Sequence, residues 1–197
     1  MSPSPQGDAR LGAVNAIAAV IDDHRSLSEH FQSDTGLSER DQAFAQHLAY
    51  GVIRWMGALE WLASQLLKKP LRRKDRDIHR LILIGLYQLW KDESAEHAVV
   101  HAPAECARKL RKNWATGLIN ALLRRFQREK EEWLGKLDER PERFAHPDWL
   151  LQQLQNDWPD QWQEIAQHNN EHAELWLRVN RQRSDPDRAM AGLKGSQ

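Results

Sequence analysis

Cysteine is scarce in this sequence: Cys106 is the only one in 197 residues. A single cysteine excludes an internal disulfide, and it also excludes a cysteine-rich zinc site or a CxxC redox pair. Proteins without disulfides are typical of reducing compartments, so we expect a cytoplasmic protein. A chain of this length can bury enough apolar surface to be stable without such cross-links.

Long apolar runs are lacking as well. The longest, residues 81–86, is far shorter than the roughly 20 apolar residues that a membrane-spanning helix needs. The N-terminal sequence MSPSPQGDAR does not have the basic segment followed by an apolar one that marks a secretory signal. We therefore expect no membrane as a partner.

Known catalytic motifs are absent too. The sequence contains no HExxH metal-binding motif, no GxGxxG or Walker A loop and no GxSxG nucleophile elbow. Cys106 lies in an alanine-rich segment, where a single cysteine is more often a small core residue than a nucleophile. These absences predict that the chain itself holds no catalytic residue and no cofactor.

One pattern is similar to a metal site. Glu93, His97, His101 and Glu105 are each four residues apart, so a continuous helix would present all four on one face. Pro103 interrupts this segment, and a polar face at such spacing is more often merely solvated. We therefore predict no metal site, and a metal enzyme is the least favoured function for this chain.

Charge of one sign does not dominate, because 28 basic residues balance 28 acidic ones. The charges are nevertheless segregated along the chain. Residues 1–50 carry 3 basic and 7 acidic side chains, residues 51–130 carry 17 and 8, and residues 131–197 carry 8 and 13. A cationic middle between acidic flanks favours a polyanionic partner, with solvated helix faces as the alternative.

The spacing of apolar residues predicts an all-α protein. The predicted helices span roughly residues 9–22, 38–54, 57–68, 78–90, 96–110, 114–130, 133–137, 147–156 and 159–169, and Pro103 divides the fifth of them or lies in its first turn. The helix over 78–90 is apolar on nearly every side, which is typical of the centre of a bundle. Gly51 predicts close packing of the second helix. Only residues 175–180, LWLRVN, alternate like a strand.

Tryptophan is abundant, with nine residues. Most of them fall at core-facing positions of the predicted helices, where they would fill the bundle. Trp114 is the exception, since it lies next to Lys112 in a predicted loop. An aromatic ring beside cations is the kind of surface on which unpaired nucleotide bases stack.

Four segments occur in order: DQAFAQHLAYGVIRWMGALEWLASQLLKKPL, IHRLILIGLYQLW, EHAVVHAPAECARKL and GLINALLRRF. Together they resemble the NusB-like domain that opens the ribosomal RNA small subunit methyltransferase B (Sun/Fmu) family. The resemblance continues through HPDWLLQQLQNDWPDQWQEI and LWLRVN, so it covers about residues 10–180. The residues that match the family pattern, several of which we expect to hold the fold together, are Gly51, Arg54, Gly85, Tyr87, Gln88, Asn120 and Arg124.

The resemblance implies an all-α NusB-like bundle of two packed helical subdomains, with a short C-terminal helical linker. Full-length relatives use S-adenosylmethionine to methylate C5 of a cytosine in 16S ribosomal RNA, with a catalytic domain and two cysteines after the region seen here. We therefore expect a chain truncated before that domain, which is no enzyme as given. Its parts would be a disordered leader over 1–8, a NusB-like RNA-binding domain over 9–130, a helical linker over 131–172 and the start of the methyltransferase region over 173–197.

RNA is thus the expected partner, together with the methyltransferase catalytic domain. NusB itself binds RNA through an arginine-rich N-terminal motif, of which this chain retains Arg10. The other candidates are chosen by charge and expected exposure, and are Arg72, Arg73, Lys74, Arg76, Lys109, Arg111, Lys112, Arg124 and Arg125. The alternative is a protein-interaction module that docks on the catalytic domain, or on a transcription or ribosome-assembly partner, through the acidic, tryptophan-rich C-terminal third.

Overall fold

The computed structural model describes residues 5–33, 35–92, 96–171 and 177–194. Within these ranges the chain forms α-helices and two 3₁₀ turns and no strand, so the predicted all-α class is confirmed. The helices are α1 (Pro5–Ile21), α2 (Leu27–Gln32), α3 (Glu39–Arg54), α4 (Met56–Leu66), α5 (Arg76–Trp90), α6 (Glu96–Lys109), α7 (Trp114–Arg128), α8 (Lys130–Asp138), α9 (Asp148–Asp157), α10 (Trp162–His168) and α11 (Pro186–Lys194). The 3₁₀ turns are Arg73–Asp75 and Pro141–Phe144.

Helix α5 lies at the centre of the bundle. Eleven of its residues are buried, and α1, α3, α4, α6 and α7 pack around it. A helix that is covered on every side must be apolar on every side, which explains the continuous run of leucine and isoleucine in its middle. The prediction of a central buried helix over 78–90 is therefore confirmed.

Two glycines allow the helices around α5 to approach closely. A Cβ atom at Gly85 would lie 2.6 Å from Cδ1 of Leu123 on α7, and one at Gly51 on α3 would overlap the ring of Tyr87 on α5. The close packing predicted at Gly51 is therefore confirmed. Both contacts depend on the missing side chain.

A buried polar contact joins α1 to α5. The Nε of Arg10 donates a hydrogen bond to Oε1 of Gln88 at 3.0 Å, and its guanidinium carbon lies 5.4 Å from the ring centre of Phe44. Only 2% of Arg10 is exposed. Burial lowers the pKa of Arg10, although the nearby Cys106 and Asp92 oppose this shift. The family resemblance implied an RNA-binding residue here, and the structure shows a residue of the core.

A small second core lies C-terminal to the main bundle. It consists of Phe144, Leu151, Leu154 and Ala166, and it brings together α9, α10 and the 3₁₀ turn Pro141–Phe144. That turn also contacts α4 and α8, which attaches the second core to the main bundle.

Four local expectations need correction. Helix α1 begins at Pro5, so residues 5–8 are not part of a disordered leader, since proline suits a first helical turn. Helix α6 runs through Pro103 without a break. Residues 177–180, the described part of the predicted strand, are not in a strand, because a strand needs a partner. Helix α2, which starts where Ser26 caps the backbone amide of Glu29, was not predicted because it is shorter than two turns.

None of the helices in the described ranges is long and apolar enough to cross a bilayer. The longest, α1, has 17 residues. Residues 1–4 of the predicted leader and the first two residues of the predicted strand, Leu175 and Trp176, lie outside the described residues.

We predict that Gly85→Ala destabilises the fold, since its methyl group must displace Leu123 in a closely packed core. The expected loss is about 1–3 kcal/mol in the free energy of unfolding, measured by urea denaturation. Gly117→Ala on α7 is the matched control, because a Cβ atom there meets nothing within 4 Å. It should gain up to about 1 kcal/mol from helix propensity. Equal effects of the two substitutions would contradict the packing at Gly85.

Candidate nucleic-acid interface

The connection between α4 and α5, taken together with the first residue of α5, is the most basic part of the structure, and we call these residues, 67–76, the basic loop. It begins where Leu67 leaves helical geometry, three residues before Pro70, which disfavours a helix in the residue before it. It ends in the 3₁₀ turn Arg73–Asp75, directly before α5. The loop therefore lies at the N-terminal end of the central helix.

Five of the six cations of the basic loop are exposed without an ion-pair partner among the described residues, and three of these five are consecutive. The side chains of Arg72, Arg73 and Lys74 face solvent, and no carboxylate of the described residues lies within ion-pair distance of them. Arg76 differs, because its Nη1 lies 3.0 Å from Oδ1 of Asp22. The other oxygen of Asp22 lies 2.5 Å from Nη2 of Arg80, so Asp22 holds the start of α5 against the end of α1.

Lys112, which precedes α7, contacts the C-terminal end of the basic loop and the first turn of α5. Its Nζ lies 3.0 Å from Oδ1 of Asp75 and 2.6 Å from Oδ1 of Asp77, and it donates a hydrogen bond to the carbonyl oxygen of Lys74 at 2.6 Å. Desolvation lowers the pKa of Lys112, but the hydrogen bonds to Asp77 and Asp75 outweigh it, so the pKa lies above the ordinary lysine value. Lys112 is thus a structural link between the basic loop and α7.

This link places Trp114 beside the basic loop. Trp114 is the first residue of α7, and 55% of it is exposed. The chain reaches it through a turn at Arg111, whose φ of 58° is in the left-handed region. The exposed ring of Trp114 forgoes the free energy that burial would give it.

Two adjacent cavities lie along the basic loop, and together we call them the basic groove. The first, of about 560 Å³, is lined by Lys69, Pro70, Leu71, Arg72, Lys74, Asp75, Lys112 and Trp114. The second, of about 500 Å³, shares Pro70, Leu71 and Arg72 and adds Arg73 and Arg76. The groove therefore has a row of cations and, at one end, an aromatic ring.

The structure brings together five of the ten candidate RNA-binding residues in the basic groove. These are Arg72, Arg73, Lys74, Arg76 and Lys112, of which the last two are paired with carboxylates. Lys69 also lines the groove and was missed, although its position next to Pro70 was a signal for an exposed loop cation.

The other five candidates lie elsewhere. Arg10 is buried against Gln88, so the prediction that it contacts RNA is wrong. Lys109 and Arg111 are exposed at the end of α6 but line neither cavity of the groove. Arg124 and Arg125 are exposed on α7, and Nε of Arg125 lies 2.9 Å from Oε2 of Glu129.

No metal site was predicted, and the part of the chain that the structure describes contains no group of three or more histidine, cysteine or acidic side chains that could hold an ion. Of the four residues in the metal-like pattern, Glu93 and the side chain of His97 lie outside the described residues. Glu105 pairs with Arg108 at 2.6 Å. Cys106 is buried, which confirms its predicted place in the core.

Comparison with known sequences identifies two regions. Residues 7–128 match the sequence model of the NusB family, and residues 146–197 match one described as "Methyltr_RsmF/B-like, ferredoxin-like domain". All residues of the basic groove lie in the first region. The predicted domain bounds at residues 130 and 172 stay predictions, because a sequence match does not fix where a folded unit ends.

Similar curated proteins are named ribosomal RNA small subunit methyltransferase B. The one from Pseudomonas putida KT2440 is 44% identical over 186 residues, which are 93% of this chain and 43% of the relative. Those from Klebsiella pneumoniae subsp. pneumoniae and Shigella flexneri are 40% and 38% identical, over 93% and 96% of this chain and 44% and 46% of the relatives. The chain thus spans less than half the length of these proteins.

We predict that Lys112→Met destabilises the protein at neutral pH, because it leaves Asp75 and Asp77 without their cation. The expected loss is about 1–3 kcal/mol in the free energy of unfolding. Since the folded state raises the pKa of Lys112, this stabilisation is complete below the ordinary lysine pKa and is lost as the pH rises through the higher folded value. The difference between wild type and variant, measured by urea denaturation from about pH 8 to about pH 11, should therefore shrink. A constant difference would contradict the assignment.

Proposed function

The chain belongs to the NusB family, and on that premise we propose that it binds RNA through the basic groove, with 16S ribosomal RNA as its partner. The observation that carries the proposal is the juxtaposition of the unpaired Arg72, Arg73 and Lys74 with the exposed ring of Trp114. The names of the similar proteins support ribosomal RNA as the ligand.

The cations supply the attraction. Each phosphate that they neutralise releases counterions, which makes binding favourable and dependent on salt. Arg72 and Arg73 present planar guanidinium groups that match phosphate geometry, whereas Lys74 acts as a point charge. The groove is lined by six lysine and arginine side chains and by only two carboxylates, Glu60 and Asp75, so the zero net charge of the chain does not cancel the local potential of the groove.

Trp114 supplies the preference for unpaired bases. A base that stacks on an exposed tryptophan contributes about 1–3 kcal/mol, and every base offers such a face. Bases inside an A-form duplex are stacked on each other and are not free to do this. We therefore infer that the groove holds a single-stranded segment, a loop or an end of the RNA.

The domain acts by docking rather than by chemistry in this proposal. It positions the RNA for a methyltransferase catalytic domain, to which the family resemblance assigns S-adenosylmethionine and the transfer to cytosine C5. In this proposal the side chains that line the basic groove bind RNA and take no part in the methyl transfer. A cytoplasmic location, expected from the single cysteine, accords with this role.

A second candidate function is a protein-docking surface in the C-terminal third. Trp149 on α9 is 68% exposed, and Trp158, which follows α9, is 49% exposed. Large exposed aromatic side chains are enriched in protein interfaces. This surface is separate from the basic groove, so the two functions can be tested independently.

We predict that the substitutions Arg72→Ala, Arg73→Ala and Lys74→Ala, made together, weaken RNA binding and its salt dependence. A wild type that neutralises about five phosphates of single-stranded RNA should give a slope of log affinity against log salt near about −3.5. Loss of three contacts should reduce the magnitude of this slope by about 2. Fluorescence anisotropy with a labelled single-stranded 16S ribosomal RNA fragment measures both quantities.

The matched control removes three other cations, through Arg25→Ala, Lys136→Ala and Arg140→Ala. These change the net charge by the same amount, but each residue is already paired with a carboxylate. The control should keep nearly the wild-type slope. An equal loss in both triple variants, or no RNA binding by the wild type at low salt, would overturn the proposed function.

A further inference from the structure

A third and larger cavity lies at the other end of α5. It has a volume of about 780 Å³ and opens between α3, Trp55 and the end of α5 on one side and residues 138–171 on the other. We call it the aromatic cleft, since Tyr50, Trp55, Tyr87, Trp90 and Phe144 all contribute to its lining. Its size is within the range of small-molecule sites, about 300–1,000 Å³.

The cleft has aromatic faces at its wall and at its rim. The rings of Trp55 and Trp90 pack edge to face with their centres 5.1 Å apart. Tyr50 is 51% exposed on the adjoining turn of α3. A planar base could stack on the phenol of Tyr50 while it remains in contact with this tryptophan pair.

Two cations accompany these rings. The Nζ of Lys91 lies 3.8 Å from the ring centre of Trp55 and 4.3 Å from that of Trp90, and it makes no ion pair with a described carboxylate. Desolvation lowers the pKa of Lys91, against the opposing charge of Asp138. Arg54 is exposed and likewise has no ion-pair partner among the described residues. Both cations are therefore available to an anion.

Tyr87 places a polar group in the wall of the cleft. Only 7% of Tyr87 is exposed, yet no side chain or backbone group in the described ranges forms a hydrogen bond with its hydroxyl. Desolvation and Asp92 raise the pKa of Tyr87, and Arg54 opposes them, so the hydroxyl is protonated and can donate. The absence of a side chain at Gly51 leaves the space in which this ring lies.

We propose that the aromatic cleft binds one unpaired nucleotide of RNA. The base stacks on Tyr50, the phosphate lies against Arg54 and Lys91, and the hydroxyl of Tyr87 donates a hydrogen bond to the sugar or base. Asp138 and Glu171 also line the cleft, but the three cations Arg54, Lys91 and Arg143 outnumber them. The choice of RNA rests on the proposed function, whereas the site is separate from the basic groove.

Adenosine 5′-monophosphate is the probe for the test, since it carries one base and one phosphate. Titrated into the full chain, it should shift the indole N–H signals of Trp55 and Trp90 saturably in an NMR spectrum in which they are identified by single Trp→Phe variants. Arg54→Gln, an exposed substitution, should weaken the affinity at least about fivefold, and Tyr87→Phe should weaken it about two- to fivefold with the ring retained. Thermal unfolding of each variant checks that it is folded.

Two further arms separate this site from the basic groove. The triple variant at Arg72, Arg73 and Lys74 should bind the nucleotide as the wild type does, so the cleft can be confirmed even if the groove binds no RNA. Inorganic phosphate and adenosine should each bind more weakly than the nucleotide. The proposal is overturned by the absence of saturable shifts, by wild-type affinity in both Arg54→Gln and Tyr87→Phe, or by equal affinity for phosphate alone, which would make the cleft an anion site only.

Discussion

The burial of α5 on all sides is the constraint from which the other features follow. Five helices must cover it, and two of them approach through a missing side chain, at Gly51 and Gly85. With 15 residues, α5 is about 22 Å long. The basic groove lies at its N-terminal end and the aromatic cleft at its C-terminal end, so a single helix fixes the separation of the two candidate sites.

Polar contacts, rather than the apolar core, fix the positions of the helix ends. Asp22 holds the start of α5 through Arg76 and Arg80, and Lys112 connects the same end to α7 through Asp75 and Asp77. These pairs engage Arg76, Arg80 and Lys112 and leave Arg72, Arg73 and Lys74 without an ion-pair partner among the described residues. The division between structural and available cations is therefore set by which carboxylates the fold brings near.

Much of the fold follows from local sequence patterns. The apolar spacing of α3, α5 and α7 is regular over three or more turns, so their place in the bundle could be predicted. Residues 177–180 were misread as part of a strand because alternation over six residues does not reveal whether a partner strand exists. Arg10 was misread because it was chosen from the family motif, which does not reveal its buried partner, Gln88, 78 residues away.

The candidate site could be predicted only in part, for the same reason. The basic segment and the unusual position of Trp114 were each visible in the sequence, but their contact depends on the ion pairs of Lys112 across 35 residues or more. The aromatic cleft was not predicted at all. Its residues come from α3, from Trp55, from the end of α5 and from residues 138–171, and each of its tryptophans, taken alone, is typical of a core position.

The central claim is that RNA lies in the basic groove with a base on Trp114. Ultraviolet cross-linking of the full chain to a single-stranded 16S ribosomal RNA fragment, followed by mass spectrometry of the cross-linked peptides, tests it most directly. The account predicts cross-links at Trp114 and in residues 67–76, which are lost in the Arg72, Arg73 and Lys74 triple variant. Cross-links confined to Trp149 or Trp158, with none in the basic groove, would contradict it.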